Sequence, residues 1–98
     1  MVYEIKGTKQ FNQWLKGLKD RATKSKVLAR LARVENGNFG DHKPISKELF
    51  ELRLFFAGGL RIYYTIRNGE IVLLLNGGGK SSQSKDIEKA KTLLSELE

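Results

Sequence analysis

Apolar residues recur with a helical period in the first part of the chain. Phe11, Trp14, Leu15 and Leu18 stand at positions i, i+3, i+4 and i+7, shortly after Thr8, a residue type that caps helix N-termini. Residues 2–6 precede this stretch and are expected to form a short strand. The opening pattern therefore predicts a strand followed by an amphipathic helix.

A second amphipathic helix is predicted to run from Asp20, its N-cap, to about Asn36, where Gly37 provides a C-terminal stop. The two helices should form a hairpin with a very short turn. Residues 36–44, which contain two glycines and the only proline, are predicted to form a loop. The apolar stripe of the second helix consists of Val27, Leu28, Leu31 and Val34.

From residue 48 onward the apolar period changes to 2, which predicts β-strands. Residues 50–56 and 60–66 alternate between two faces, whereas residues 71–76 are apolar on both. Asn68-Gly69 predicts a two-residue type I′ turn that sets Ile66 opposite Ile71. The same register pairs Tyr64 with Leu73 and Ile62 with Leu75.

The turn between the first two of these strands allows two registers. A two-residue Gly58-Gly59 turn would place their apolar sets on opposite faces, whereas a three-residue connection over 57–59 brings the sets together. We expect the second register, with Leu54 opposite Ile62 and Arg53 opposite Tyr63. The predicted core then contains Leu52, Leu54, Ile62, Tyr64 and Leu73.

A closing helix is predicted after the glycine-rich segment 77–79, with serines and Asp86 near its start. Its apolar face would contain Ile87, Ala90, Leu94 and Leu97. The element order β-α-α-β-β-β-α predicts an α+β fold in one domain spanning residues 1–98. We expect the N-terminal strand and helical hairpin on one face of a mostly antiparallel sheet, with the closing helix on that same face.

The composition narrows the classes of partner and site. The 18 Lys and Arg residues against 11 Asp and Glu give a formal net charge of +7, which favours phosphate-rich partners but would also attract an acidic protein. With no cysteine and one histidine, neither a disulfide framework nor a zinc site is expected, and no metal or cofactor is predicted. No apolar run approaches the roughly 20 residues that span a bilayer, and the N-terminus lacks a signal-peptide pattern. These features favour a cytoplasmic protein.

The expected register concentrates cationic and aromatic residues on the sheet face opposite the helices. Arg53, Arg61, Tyr63 and Arg67 project from that face, with Lys80 at its rim. Clustered cations repel one another unless an anion is bound, so this face is the predicted anion-binding surface. Tyr63 could stack on a base, transfer a proton or only support the sheet.

The segment Gly79-Lys80-Ser81 between a strand and a helix resembles part of a nucleotide-binding loop. Leu74, however, occupies the position where the Walker A motif requires its first glycine, so we exclude that class. The three glycines could form a turn with positive φ, or they could allow a phosphate to approach the backbone closely.

Two further features have both a structural and a functional interpretation. Lys26, Arg30 and Arg33 form a basic ridge on the second helix, which is either a solvated face or a contact surface. His42, the single histidine, lies in the predicted loop and is either exposed or catalytic.

Segments 11–15, 37–43, 51–53, 61–64 and 77–87 together resemble the RelE/ParE toxin superfamily, and within it the HigB-like branch described as addiction-module killer proteins. These segments cover nearly the whole chain, and they follow one another in the same order as the corresponding segments of the family. The resemblance implies a RelE-like fold and the toxin component of a type II toxin-antitoxin system that cleaves messenger RNA on the ribosome without a metal. The implied partners are a cognate antitoxin with a helix-turn-helix, the ribosome and mRNA, and no membrane.

The resemblance also implies roles for individual residues. Arg53 and Arg61 would stabilise the scissile phosphate. Lys80 would add charge or move a proton, and Tyr63 would stack or donate a proton. The general base stays unassigned, because the C-terminus lacks the tyrosine of some RelE members and only His42 is present where some HigB members use histidines. The remaining candidates for RNA or phosphate contacts are Lys26, Arg30, Arg33, Lys43, Arg67, Ser81, Ser82 and Lys85.

Two other functions stay open at this stage. A ParE-like protein with the same fold would inhibit DNA gyrase by protein contact and would not need Arg53, Arg61 and Lys80. A non-enzymatic RNA-binding or regulatory module could use the same basic face. All three functions direct attention to that face of the sheet.

Overall fold

The computed structural model describes residues 2–97, which form a five-stranded sheet and three helices. The strands are β1 (Glu4–Gly7), β2 (His42–Pro44), β3 (Phe50–Leu54), β4 (Leu60–Arg67) and β5 (Ile71–Gly79); the helices are α1 (Lys9–Lys16), α2 (Arg21–Glu35) and α3 (Gln83–Glu96). The sheet order is β1-β5-β4-β3-β2, with β1 parallel to β5 and all other neighbours antiparallel. The predicted α+β class and element order are confirmed. Spanning a membrane would take a longer and more apolar helix than any formed by residues 2–97.

Both predicted helix caps are present in the helical hairpin. Thr8 Oγ1 accepts a hydrogen bond from the Phe11 amide at 3.1 Å, and an Asp20 carboxylate oxygen accepts one from the Ala22 amide at 3.3 Å. The hairpin buries Phe11 from α1 and Val27, Leu31 and Val34 from α2 against the sheet. Leu28 was also expected in this stripe, but it is 49% exposed. A residue directly after Val27 lies 100° around the helix, outside the narrow stripe that α2 presents to the sheet.

The segment predicted as a loop over 36–44 ends in the short strand β2. His42 lies opposite Leu52 and Lys43 lies opposite Glu51, so β2 forms an edge of the sheet next to β3. The N-terminal strand is also displaced from its predicted range of 2–6 and covers Glu4–Gly7.

The register between β3 and β4 differs from the prediction by two residues. Leu52 faces Ile62 and Arg53 faces Arg61, and the connection has five residues, 55–59, rather than three. Ala57, Gly58 and Gly59 all have positive φ, which forms this longer turn. A shift of two residues keeps every side chain on its predicted face.

The register between β4 and β5 differs by one residue, which has a larger consequence. Ile66 faces Val72 rather than Ile71, although Asn68 and Gly69 have the positive φ values expected of the turn. This shift moves Leu73 out of the predicted core and places it with Leu75 on the opposite face. Val72 and Leu74 take the positions against the helical hairpin. Beyond a bulge between Tyr63 and Tyr64 the displacement increases to two residues, so that Ile62 faces Gly77 rather than Leu75.

The closing helix α3 packs on the face opposite the hairpin, whereas all helices were expected on one face. Ala90 of α3 is fully buried against a second apolar cluster that contains Leu49, Tyr63 and Leu75. The residues of β5 that are apolar on both faces are explained by this packing, because both faces of the strand are covered. The N-terminus of α3 lies over the ends of β4 and β5, where the predicted cationic face begins.

Candidate anion-binding site

Residues that lie directly opposite each other in antiparallel strands point to the same face of the sheet. The strand pairing therefore places two rows of mostly polar residues on the face under α3. The first row crosses the sheet through Lys43, Glu51, Tyr63 and Asn76. The second row contains the facing arginines Arg53 and Arg61, followed by Gly78. The predicted cationic face therefore exists, but it also contains the carboxylate of Glu51, which was not among the predicted site residues.

Glu51 is the centre of this cluster. Its carboxylate is fully buried, and Oε2 accepts a hydrogen bond from Gln83 Nε2 at 2.9 Å. Arg61 Nε lies 3.7 Å from the same oxygen, and Lys43 Nζ lies 3.9 Å from Oε1. A buried carboxylate is stable only when it is paired and hydrogen-bonded, and these three groups supply that. Glu51 thereby fixes two cations next to each other.

Arg53 has a different acidic partner, Asp41. Arg53 Nε lies 3.1 Å from Asp41 Oδ2, and both side chains are about one-third exposed, at 37% and 33%. An ion pair this exposed contributes little to stability. Arg53 can therefore turn to a phosphate without leaving a buried charge behind.

Lys80 lies close to Arg61, as predicted for the rim of the site. A methyl group built on Gly59 would be 3.9 Å from Arg61 Nη1 and 4.0 Å from Lys80 Cβ, so Gly59 lies between the Arg61 guanidinium and the base of the Lys80 side chain. Lys80 is exposed, whereas the Arg61 side chain is only 14% exposed. One cation is thus held in the site and the other extends from its edge.

Tyr63 is fully buried in the first row, so it offers no ring face to a nucleic acid base. The predicted stacking role is therefore wrong. Burial, and secondarily the carboxylates of Glu51 and Asp86, raises the pKa of the Tyr63 phenol far above its usual value. The hydroxyl consequently stays protonated and can donate a hydrogen bond within the cluster.

Several buried polar atoms of the cluster have no hydrogen-bond partner within residues 2–97. They are Glu51 Oε1, Arg61 Nε and Nη1, the Tyr63 hydroxyl and Asn76 Oδ1. Leaving such an atom unpaired costs about 1–3 kcal/mol, so native proteins contain few of them. These atoms surround one guanidinium group and one carboxylate, so the polar groups of the cluster can accommodate further hydrogen-bond partners.

Two of the three glycines of β5 lie where a larger residue would collide with another side chain. None of Gly77, Gly78 and Gly79 has positive φ, and all three lie inside the strand. A Cβ on Gly77 would be 2.6 Å from the Trp14 indole, and one on Gly78 would be 2.7 Å from Asp86 Cγ. Gly77 and Gly78 therefore admit protein side chains, whereas nothing lies within 4 Å of a Cβ on Gly79. The predicted turn with positive φ is wrong, and the close approach of a phosphate to this segment stays a prediction.

Arg30 has a structural role that conflicts with its predicted phosphate contact. Its guanidinium donates four hydrogen bonds, of 2.9 to 3.1 Å, to the carbonyl oxygens of Phe39, Asp41 and Arg53. These bonds fasten α2 to the loop before β2 and to the end of β3. Burial lowers the Arg30 pKa, but the guanidinium keeps its charge at any physiological pH.

His42 and the remaining candidates lie in several places. His42 faces Leu52, so its ring is on the hairpin side next to Phe39 and away from Glu51. Lys26 lies over the Phe56 ring at 5.4 Å, and Arg33 is exposed on α2. Arg67 stands six residues from Arg61, about 20 Å along β4, and lines a separate cavity. Ser81 and Lys85 are exposed near the start of α3, and Ser82 Oγ donates to Asp86 Oδ2.

Sequence reasoning missed Glu51 and Gln83 as members of the site. The strand period already placed Glu51 on the same face as Arg53, and a carboxylate among cations was a usable signal. Nothing in the sequence indicated Gln83, because its contact depends on where α3 docks.

A profile of the family described as phage derived protein Gp49-like (DUF891) matches residues 13–95. The chain belongs to this family. The matched range includes β2 to β5 and every candidate site residue named above. A curated Haemophilus influenzae protein, described as uncharacterized, is 46% identical to this Gp49-like chain over 97 residues, which is 99% of this chain and 98% of the relative.

Solved structures of the E. coli toxin RelE share the fold of this Gp49-like protein. A free arginine double mutant of RelE matches with a TM-score of 0.75 at 14% identity, over 94% of this chain and 97% of RelE. RelE in the intact RelBE toxin-antitoxin complex matches with a TM-score of 0.63 at 12% identity, over 79% of this chain and 95% of RelE. The predicted place in the RelE/ParE superfamily is confirmed, whereas the HigB-like branch stays a prediction.

Proposed function

We propose that this Gp49-like protein is the toxin of a type II toxin-antitoxin system and cleaves messenger RNA on the ribosome. The RelE-like fold is compatible with this activity but does not by itself assign it. The observation that carries the proposal is the group of cations around Arg61. The Arg61 side chain is 14% exposed and is held beside Glu51, with Lys43, Arg53 and Lys80 around it. Such an arrangement is suited to a phosphate group.

The proposed reaction is attack of a ribose 2′-oxygen on the neighbouring phosphorus. The new P–O bond forms as the bond to the 5′-oxygen breaks, and the proton lost by the 2′-hydroxyl is balanced by one that the leaving 5′-oxygen gains. Negative charge accumulates on the nonbridging oxygens in the transition state, where fixed cations stabilise it most. Arg61 and Arg53 would bind these oxygens, and Lys80 would add charge or donate to the leaving oxygen.

Glu51 would act through Arg61 and Lys43 rather than on the RNA. Its carboxylate is fully buried, so it does not reach a substrate, but its contacts orient the two cations before RNA binds. Preorganised charges stabilise a transition state without reorganisation during the reaction. Gln83 in turn fixes the carboxylate from α3.

The partners follow from the same proposal. We expect a cognate antitoxin that places acidic or apolar segments over the cationic site, and the helix-turn-helix in that antitoxin stays a prediction. RelE itself has been solved with the antitoxin RelB. The net charge of +7 supports binding to ribosomes and mRNA, and the expected compartment is the cytoplasm.

The test is toeprinting of a translated message in a cell-free extract. The proposal predicts new 5′ ends within the ribosomal A-site codon, which appear only while the message is translated. DNA cleavage complexes without RNA cleavage would instead support a ParE-like gyrase inhibitor, and binding without cleavage would support a regulatory module.

A further inference from the structure

Among the Phe, Tyr and Trp residues within 2–97, only Phe55 has an exposed side chain. It is 78% exposed, whereas the other large exposed apolar residues, Val2, Leu28 and Leu97, are aliphatic. Burying a phenylalanine side chain contributes about 1.5–3 kcal/mol, which this protein forgoes at position 55. A single exposed residue needs no explanation on its own, but the surroundings of Phe55 do point to a ligand.

The loop that carries Phe55 is held in place by its neighbour. Phe56 packs against the main core, and its ring lies under Lys26 Nζ at 5.4 Å. The Gly59 amide donates to the Phe56 carbonyl at 3.0 Å, and Ala57, Gly58 and Gly59 have positive φ. One phenylalanine of the pair thus anchors the loop while the other stays in solvent.

The same loop adjoins the cationic site. Phe55 follows Arg53 by two residues, about 7 Å of extended chain, and Gly59 at the other end of the loop lies beside Arg61 and Lys80. An aromatic ring next to phosphate-binding cations matches a nucleotide, which has a flat apolar base joined to an anion. A protein partner would need a broader apolar patch, yet the rest of the loop offers only Ala57, Gly58 and Gly59.

We propose that Phe55 stacks on a base of the RNA strand next to the cleaved phosphodiester. This inference rests on the proposed function and assigns to Phe55 the stacking role that the burial of Tyr63 excludes. Stacking is tolerant of base identity, because every base presents a π-face. Phe55 would therefore hold the strand in register with Arg61 without selecting a codon.

The test combines Phe55 variants with messages that lack one base. Single-turnover cleavage on programmed ribosomes is measured for the wild type, Phe55→Trp, Phe55→Leu and Phe55→Ala, with the exposed aliphatic Leu28→Ala as the matched control. Phe55→Trp and Leu28→Ala should stay close to the wild type. Phe55→Leu and Phe55→Ala should lower kcat/KM by about tenfold, in the range of measured base-stacking contributions. An abasic nucleotide at one of the two positions flanking the cleaved bond should slow the wild type equally and Phe55→Ala hardly at all.

Binding of a short single-stranded RNA without ribosomes separates this inference from the proposed function. If the wild type cleaves RNA but Phe55→Leu equals it in cleavage and in RNA binding, the stacking inference is wrong and the nuclease proposal survives. If no RNA is cleaved but binding still depends on both Phe55 and the base, stacking is upheld and the nuclease proposal fails. A loss confined to binding of the antitoxin would overturn the inference and make Phe55 a protein contact.

Discussion

The two faces of one sheet have opposite characters in this protein. The face under the helical hairpin buries Leu52, Ile62 and Tyr64 in a continuous apolar core. The face under α3 has a smaller apolar cluster that contains Leu49, Leu75 and Ala90. Toward the end of β3 and the start of β4 this face contains ion pairs and buried polar atoms without hydrogen-bond partners. Since neighbouring residues of one strand point to opposite faces, β3 and β4 build the core and the candidate site at the same time. Changes on the first face should therefore affect folding, and changes on the second should affect activity.

The largest effect on stability is expected from Ile62→Ala. Ile62 is fully buried in the core, and truncation of such a side chain typically costs about 2–5 kcal/mol. Urea denaturation measures the change, with Leu28→Ala as a control that should stay within about 0.5 kcal/mol. Equal effects of the two substitutions would show that the assignment of the core face is wrong.

A smaller effect is expected from Gly77→Ala, which tests how tightly β5 is enclosed from both sides. The added methyl group would overlap the Trp14 indole, and overpacking of this kind costs about 1–3 kcal/mol. Gly79→Ala is the matched control, because nothing lies within 4 Å of a Cβ at that position. Thermal unfolding of both variants checks the prediction, and a normal melting temperature for Gly77→Ala would contradict the packing of α1 on β5.

Glu51→Gln should distinguish effects on activity from effects on stability most clearly. Gln keeps the shape of the side chain but removes the charge that faces Arg61 and Lys43, so we expect a loss of about 1 kcal/mol in stability. The cleavage rate should fall more than RNA binding, because Arg61 is no longer held for the transition state. If Glu51 acts through Arg61, the substitution should have no further effect on the residual rate of an Arg61→Ala protein. Full additivity in that double-mutant cycle would refute the positioning role.

The smallest effect concerns alkaline pH and the core tyrosine Tyr64. Burial raises the Tyr64 pKa to about 12, above the ordinary tyrosine value of about 10. The unfolded chain therefore ionises the phenol at a lower pH than the folded protein does. The stabilisation that comes from burying the neutral phenol is complete below pH 10 and is lost between about pH 10 and 12. In Tyr64→Phe the decline of stability over this window should be shallower, as measured by urea unfolding at several pH values. An unchanged slope would contradict the burial of the hydroxyl.

The sequence predicted the sheet face on which a strand residue lies better than it predicted the register in which neighbouring strands pair. Leu52, Ile62 and Arg53 lie on their expected faces even though the β3–β4 register is displaced by two residues, because side chains repeat with a period of 2. A displacement of only one residue between β4 and β5 moved Leu73 to the wrong face. Turn length decides such shifts, and it depends on backbone angles that residue types constrain only loosely.

The site was predicted in part for related reasons. Arg53, Arg61 and Lys80 could be placed together from the strand period and the chain order. The burial of Tyr63 and the contact of Gln83 could not be predicted, because both follow from the docking of α3 on the second face. The reason for Gly77 and Gly78 could not be predicted either, since Trp14 and Asp86 reach them only in the folded chain.

Single-turnover cleavage by Arg61→Ala on programmed ribosomes tests the central claim most directly. Arg61 would stabilise charge that develops only in the transition state, so its loss should reduce the rate about 100-fold or more, while ribosome binding changes little. The melting temperature should fall, because the buried Glu51 carboxylate loses a cationic partner, so cleavage is compared at a temperature where the variant is folded. Arg21→Ala, which removes an exposed arginine at the start of α2, should cleave like the wild type. If Arg61→Ala and the Arg53→Ala/Arg61→Ala double variant also cleave at the wild-type rate, the face under α3 is not the cleavage site.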